Sequence, residues 1–185
     1  MEIKGEYRIA RSRRQVWDAL NDPAMLQKCI PGCESMERQA ENEYRARVAA
    51  AIGPVRAKFD TRILLENLNP PESYTLTGES KAGAAGFGRG SANVRLAEDG
   101  DGTRLSYSAD FRVGGRLAQV GSRLVLGATR KTADDFFGSF ARELDEQAVQ
   151  VTPPAEGRPR RAARIWLAAT LVGAAALLIA WFLLR

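Results

Sequence analysis

The sequence predicts an α+β fold: a curved antiparallel sheet of about seven strands around a long C-terminal helix, with two short helices after strand 1 and a C-terminal transmembrane helix. Three observations carry this. Leu117, Val120, Gly121, Leu124, Ala128, Ala133, Phe136, Phe137, Phe140 and Leu144 recur in steps of three and four, the buried stripe of one amphipathic helix over Gly115–Leu144. Most of the chain before it alternates apolar and polar residues with period two, so the stripe packs on a sheet. Ile165 to Leu184 contains no charge and at ~1.5 Å per residue reaches across the ~30 Å hydrocarbon core of a bilayer.

The elements follow in order. Ile3, Gly5, Tyr7 and Ile9 alternate with Glu2, Lys4, Glu6 and Arg8 as a half-buried first strand. Ser12-Arg13-Arg14-Gln15 has capping-box form and starts a short helix that buries Val16, Trp17, Ala19 and Leu20. Asp22-Pro23 starts a second helix, Asp as N-cap and Pro at the first helical position, carrying Met25, Leu26 and Cys29 until Pro31-Gly32 ends it. Tyr44, Ala46, Val48, Ala50 and Ile52 share one face of a strand, Gly53-Pro54 makes a turn, and Val55, Ala57, Phe59, Thr61, Ile63 and Leu65 share a face of the next. A strand over Ser73–Ser80 follows the Asn69-Pro70-Pro71-Glu72 loop, a glycine-rich stretch runs from Lys81 to Gly90, and Val94 and Leu96 resume a strand. After the Asp99–Gly102 turn, Leu105, Tyr107, Ala109, Phe111 and Val113 form the clearest strand, and Gly114-Gly115 release the chain into the long helix.

Charge divides the chain. Of 27 Lys and Arg side chains, Arg158, Arg160, Arg161, Arg164 and Arg185 lie beyond residue 150, where Glu156 is the single acid. The remainder is near neutral, so the pI of about 9.6 describes the tail and gives no case for nucleic-acid binding. The arginines before the apolar run, with Trp166 and Trp181 near its ends, read as a membrane anchor that leaves the folded domain on the cytoplasmic side of the inner membrane. The expected organisation is a domain over 1–147, a Pro/Arg linker over 148–164 and a tail anchor over 165–184. The N-terminus leads straight into a strand pattern with no signal peptide, so Cys29 and Cys33 are expected in a reducing compartment.

Histidine is absent, which removes Ser-His-Asp and Cys-His catalysis and the commonest transition-metal ligand. Two cysteines do not fill a zinc site. No catalytic residue and no metal ligand is assigned, and the expected function is not enzymatic.

Several segments resemble the CoxG family of carbon monoxide dehydrogenase subunits, within the START/Bet v 1-like superfamily and its helix-grip architecture. They are Cys29-Ile30-Pro31-Gly32-Cys33-Glu34, Ile52-Gly53-Pro54-Val55, Pro70-Pro71-Glu72-Ser73-Tyr74, Gly83-Ala84-Ala85-Gly86-Phe87 and Val113 through Gly121, and the similarity covers about residues 1 to 145. The resemblance implies an accessory protein of a molybdenum-containing carbon monoxide dehydrogenase, with an apolar cavity between sheet and helix. Cavity plus anchor suggests a quinone, menaquinone or ubiquinone, as a bound ligand with no covalent cofactor. The alternative is a tether that recruits the dehydrogenase to the membrane without a ligand.

The expected pocket is Val48, Phe59, Ile63, Tyr74, Phe87, Tyr107, Phe111, Val120, Leu124, Phe136 and Phe140. Individually such residues also serve as plain core. The small inward residues Ala46, Ala50, Ala57, Gly88, Gly90, Ala92 and Ala109 favour a void. Tyr74 and Tyr107 offer hydroxyls to a quinone carbonyl. Gly83–Gly90 reads either as a hairpin or bulge, or as a gate with Phe87 as its lid. Cys29 and Cys33 read as small buried residues around a turn, and Arg45, Arg47, Arg56, Lys58 and Arg62 as a solvated sheet face or a docking face.

Overall fold

A computed structural model of the chain describes residues 1–150. Local sequence signals set the first elements. The Ser12 hydroxyl accepts from the Gln15 amide while the Gln15 side chain accepts from the Ser12 amide, which starts α1 (Arg13–Leu20). The Asp22 carboxylate accepts from the Ala24 amide at the start of α2 (Pro23–Cys29). Their apolar faces bury Val16, Trp17, Ala19, Leu20, Met25 and Cys29, as the spacing predicts.

The strands are β1 (Glu2–Ile9), β2 (Cys33–Ala40), β3 (Glu43–Ile52), β4 (Val55–Asn69), β5 (Ser73–Lys81), β6 (Phe87–Asp99) and β7 (Gly102–Gly114). They form one curved antiparallel sheet in the order β1-β7-β6-β5-β4-β3-β2. Register irregularities in β2 and near Asn67 of β4 (φ 51°) bend it. The chain then forms α3 (Arg116–Gln119) and the long α4 (Ser122–Gln150).

Two expectations need correction. β6 begins at Phe87, well before Val94, and a 3-10 turn, Gly83–Ala85, precedes it. Glycine disfavours strands, yet here it is required: a Cβ on Gly90 would lie 2.4 Å from the Asp110 carbonyl oxygen. The C-terminal helix is also not continuous from Gly115. It breaks at Gly121, whose φ of +93° no helical residue adopts, and α4 starts afresh one residue later. The buried stripe therefore changes phase. Val125 is buried and Leu124 is 56% exposed.

The main core joins α1, α2 and the inner sheet face to Phe140 and Leu144 of α4. A smaller cluster of Val55, Ala85 and Leu117 closes the other end of the sheet, with Ile52, Phe59, Val113 and Val120 against it. The backbone of α4 continues to Gln150, past the expected boundary at residue 147. The rest of the expected linker, the expected transmembrane segment 165–184 and the expected anchor residues Arg160, Arg161, Arg164, Trp166 and Trp181 lie outside the described residues. Among the described residues no helix is long and apolar enough to cross a membrane.

Candidate functional site

Between the inner sheet face and α4 lies an apolar cavity of about 660 Å³, within the range of small-molecule pockets. Cross-strand rows explain its volume. Leu76 pairs with Ala92 and Ala92 with Ala109, while Gly78 pairs with Gly90, so the centre of the sheet carries almost no large side chain. Ala128, Thr129, Thr132 and Ala133 of α4 face the same space. The Thr129 and Thr132 hydroxyls donate to the Val125 and Ala128 carbonyls of their own helix. Leu20, Leu26, Ile30, Met36 and Tyr44 wall one side. The cavity meets solvent at Ala51, Lys131, Thr132 and Asp135, all exposed, where Lys131 pairs with Asp135.

Its titratable liners are Tyr44, Tyr74, Tyr107 and that mouth pair. The Tyr44 hydroxyl is engaged, accepting from Arg38 at 2.9 Å and donating to the Asn21 carbonyl at 3.2 Å. Tyr107 stacks in a group with Tyr7 and Phe137, and its ring lies flat on Gly5, where a Cβ would sit 2.5 Å from Cε1. Tyr7 donates to Asp134 at 2.6 Å. Burial raises the Tyr107 hydroxyl above the ordinary tyrosine range. Tyr74 differs. It is buried, its ring meets Trp17 edge-on at 5.5 Å, and its hydroxyl finds no hydrogen-bond partner among the described residues. Desolvation raises it strongly. The wall thus presents the Tyr74 hydroxyl, without a partner among the described residues, in an apolar surface, which suits a largely apolar molecule carrying a carbonyl or hydroxyl.

A depression of similar volume, about 660 Å³, lies over Arg62, Glu79, Arg89 and Arg112 on the outer face. Its charged lining suits water and ions, so the inner cavity is the candidate for an apolar ligand.

Of the residues expected to form the pocket, Ile63, Tyr74, Tyr107 and Phe136 line the cavity. Phe140 is 0% exposed and belongs to the core beneath it. Val48 packs on the main core, and Phe59 and Val120 on the small cluster. Phe111 faces inward opposite Gly90, nearer the end of the sheet. Leu124 is exposed because of the break at Gly121. Phe87 is no lid in this structure: strand alternation puts it on the outer face, 39% exposed, its ring against Gly114. Leu20, Leu26, Ile30 and Met36 line the cavity but were not expected there. The short-helix periodicity marked Leu20 and Leu26 as apolar but did not show that α1 and α2 cap the sheet beside the cavity.

The other expectations also resolve. Cys29 donates to the Met25 sulfur at 3.6 Å and Cys33 to the Ser35 carbonyl at 3.3 Å, and both are free thiols. On the outer hairpin face Arg47 pairs with Asp60, Lys58 with Glu34 and Arg62 with Glu43, leaving Arg45 and Arg56 without an ion pair among the described residues.

The profile of the CoxG family of carbon monoxide dehydrogenase subunits matches residues 5–145. No curated protein matches the chain. Among solved structures, a conserved protein from Geobacillus kaustophilus is 30% identical, with a TM-score of 0.75 over 80% of this chain and 97% of that one. The aromatase/cyclase Zhui from Streptomyces sp. R1128 is 13% identical with a TM-score of 0.60, over 80% and 95% of the two chains. Ara h 8.0201 is 12% identical with a TM-score of 0.57, over 79% and 98%. The last two share the fold, and their identities carry nothing more.

Proposed function

Since this chain belongs to the CoxG family of carbon monoxide dehydrogenase subunits, we propose that it serves a molybdenum CO dehydrogenase by holding a membrane quinone in its apolar cavity. The observation that carries the reading is the cavity itself: about 660 Å³ of apolar space into which Tyr74 brings a hydroxyl without a partner among the described residues. A quinone has an apolar ring and isoprenoid body and two carbonyl acceptors, one of which would take the Tyr74 proton donor. Two electrons and two protons leave CO and water as CO2 forms, and the same number converts a quinone to a quinol. The protein's part is to position the ring and exclude water, while the dehydrogenase supplies the electrons.

The membrane side of the proposal rests on sequence. Residues 165–184 would anchor the chain, and the arginines before them would keep the domain on the cytoplasmic side. A bound quinone would then exchange with the bilayer over a short distance.

The test is quinone content of the full chain, purified in detergent from its native membrane, beside an Ala109→Trp variant that fills the cavity. Quinone in the parent and its loss in the variant, with unchanged circular dichroism, is the expected result. Equal quinone in both overturns cavity binding. A quinone-free parent that still brings the dehydrogenase to membranes makes the protein a tether.

A further inference from the structure

We propose that the end of the domain built from the β3–β4 turn, the β5–β6 connection and α3 docks on an anionic bilayer surface, bringing the cavity mouth to the lipid. The proposal deepens the membrane reading above and rests on it. Three stretches, residues 51–59, 80–97 and 111–133, contain no aspartate or glutamate. The fold brings one part of each, the β3–β4 turn, the β5–β6 connection and α3, together at one end. Val55, Ala85 and Leu117 pack together there, the Gly53 turn abuts Val120 and Leu124, and the Gly86 and Gly115 backbones touch.

This end carries an excess of basic charge: Glu79, opposite Arg89 in the register, is the nearby acid on the outer face, and it pairs with Lys81. Arg56, Arg89, Arg112, Arg116 and Arg123 are exposed, and none has a carboxylate partner among the described residues. Elsewhere on the outer face Arg47 pairs with Asp60 and Arg62 with Glu43, while Arg45 is unpaired among the described residues. Arg89 and Arg112 stand directly opposite each other across β6 and β7, with Glu79 of β5 on the far side of Arg89, so Arg112 has no acid beside it in the β6–β7 register. Phe87, at 39%, and Leu124, at 56%, are the exposed large apolar side chains of the described residues, and both lie here. The Arg89 guanidinium lies 5.9 Å from the Phe87 ring centre.

Arginines with bare aromatic and aliphatic side chains among them match a lipid interface, where phosphates take the charge and acyl chains take the apolar groups. An acidic protein surface would answer the arginines but leave Phe87 and Leu124 facing carboxylates. The mouth at Ala51 and Lys131 adjoins this end through the neighbouring turn of β3 and the first turns of α4. A docked domain therefore gives an apolar ligand a path that avoids bulk water.

The experiment places an environment-sensitive nitrobenzoxadiazole dye at Phe87→Cys or Leu124→Cys in the full chain, with Cys29→Ala and Cys33→Ala to remove other thiols. Glu66→Cys, on the exposed part of β4, is the control. Vesicles are phosphatidylcholine alone or an equal mixture with phosphatidylglycerol. Flotation with the neutral vesicles reads the tail; the dye reads this face. The expected result is a blue shift with a several-fold intensity rise at positions 87 and 124 on the mixed vesicles. It should be absent at position 66, reversed by high salt, and lost in an Arg89→Glu, Arg112→Glu, Arg116→Glu variant. Solvent-like emission at 87 and 124 on both vesicle types overturns the proposal, as does a shift that needs the dehydrogenase and not the acidic lipid. Quinone content of the same samples keeps the two readings apart. Quinone-loaded protein with solvent-like dye loses only the docking face, and quinone-free protein with lipid-embedded dye loses only the cargo.

Discussion

The Tyr74 hydroxyl has no hydrogen-bond partner among the described residues but still meets the cavity space, and a carbonyl ligand would turn it into a binding contact. Tyr74→Phe should therefore leave the stability of ligand-free protein within about 1 kcal/mol of the parent and weaken quinone retention several-fold. Urea unfolding and quinone content read the two effects, and unchanged retention would remove Tyr74 from the site. Cys29 gives a pH signature. Burial, with a smaller contribution from Glu143, pushes its thiol up to about 11 from an ordinary value of 9.0. The folded state thus holds this proton more tightly than the unfolded chain. The contribution is intact below about pH 9 and is lost as the pH rises towards about 11. Unfolding midpoints should fall across that window, and Cys29→Ala should flatten the part of the slope that Cys29 supplies. An identical slope in that variant would assign the alkaline loss to other groups, the raised tyrosines Tyr7 and Tyr74 among them.

Elements were legible in the sequence where local signals decide them. The Ser12 and Asp22 caps, the buried face of α1 and the period-two hairpin of β3 and β4 all follow from side chains within a few residues of one another. What stayed hidden depended on partners far away in the chain. The strand character of Gly88 and Gly90 comes from pairing with β5 and β7 on either side, and at Gly90 the β7 backbone comes close enough to exclude a Cβ. The helix phase failed for a local reason that only geometry exposes: Gly121 is small enough to pass as a helical residue, yet its φ of +93° ends α3 and resets the stripe. That error alone moved Leu124 into the expected pocket and left Val125 out of the expected stripe. The cavity was half legible, because small inward residues announce missing volume while the elements that cap it are assigned only by the fold. Gly121→Ala tests the break. A side chain at that φ costs about 1–2 kcal/mol, and guanidinium unfolding should show a loss of that size. No loss would mean α3 and α4 can join into one helix, as the sequence alone suggested.

At the scale of the molecule, a carrier and a tether require different things of the same interior. A filled core penalises any added bulk, by about 1–3 kcal/mol for overpacking, whereas a true cavity accepts it. Phe140, 0% exposed beneath the cavity, sets the scale for real core: Phe140→Ala should cost about 3–5 kcal/mol. Ala109 lines the open volume beside Ile3 and Ala92. Ala109→Trp should cost well under that, because the indole enters space that side chains do not use. The same variant should then lose quinone while its recruitment of CO dehydrogenase to membranes persists. Removing residues 165–185 should do the reverse, releasing a domain that still takes up quinone from detergent but no longer sediments with membranes in high salt, which screens the docking of the arginine-rich end. This crossed pattern follows only if binding resides in the β-sheet cavity and localisation in the tail. A tether would lose recruitment on truncation and show no defect from the indole. A truncated chain that still sedimented in high salt would place a salt-resistant membrane attachment in the domain itself rather than in the tail. Sedimentation confined to low salt would report the arginine-rich end that carries Phe87 and Leu124.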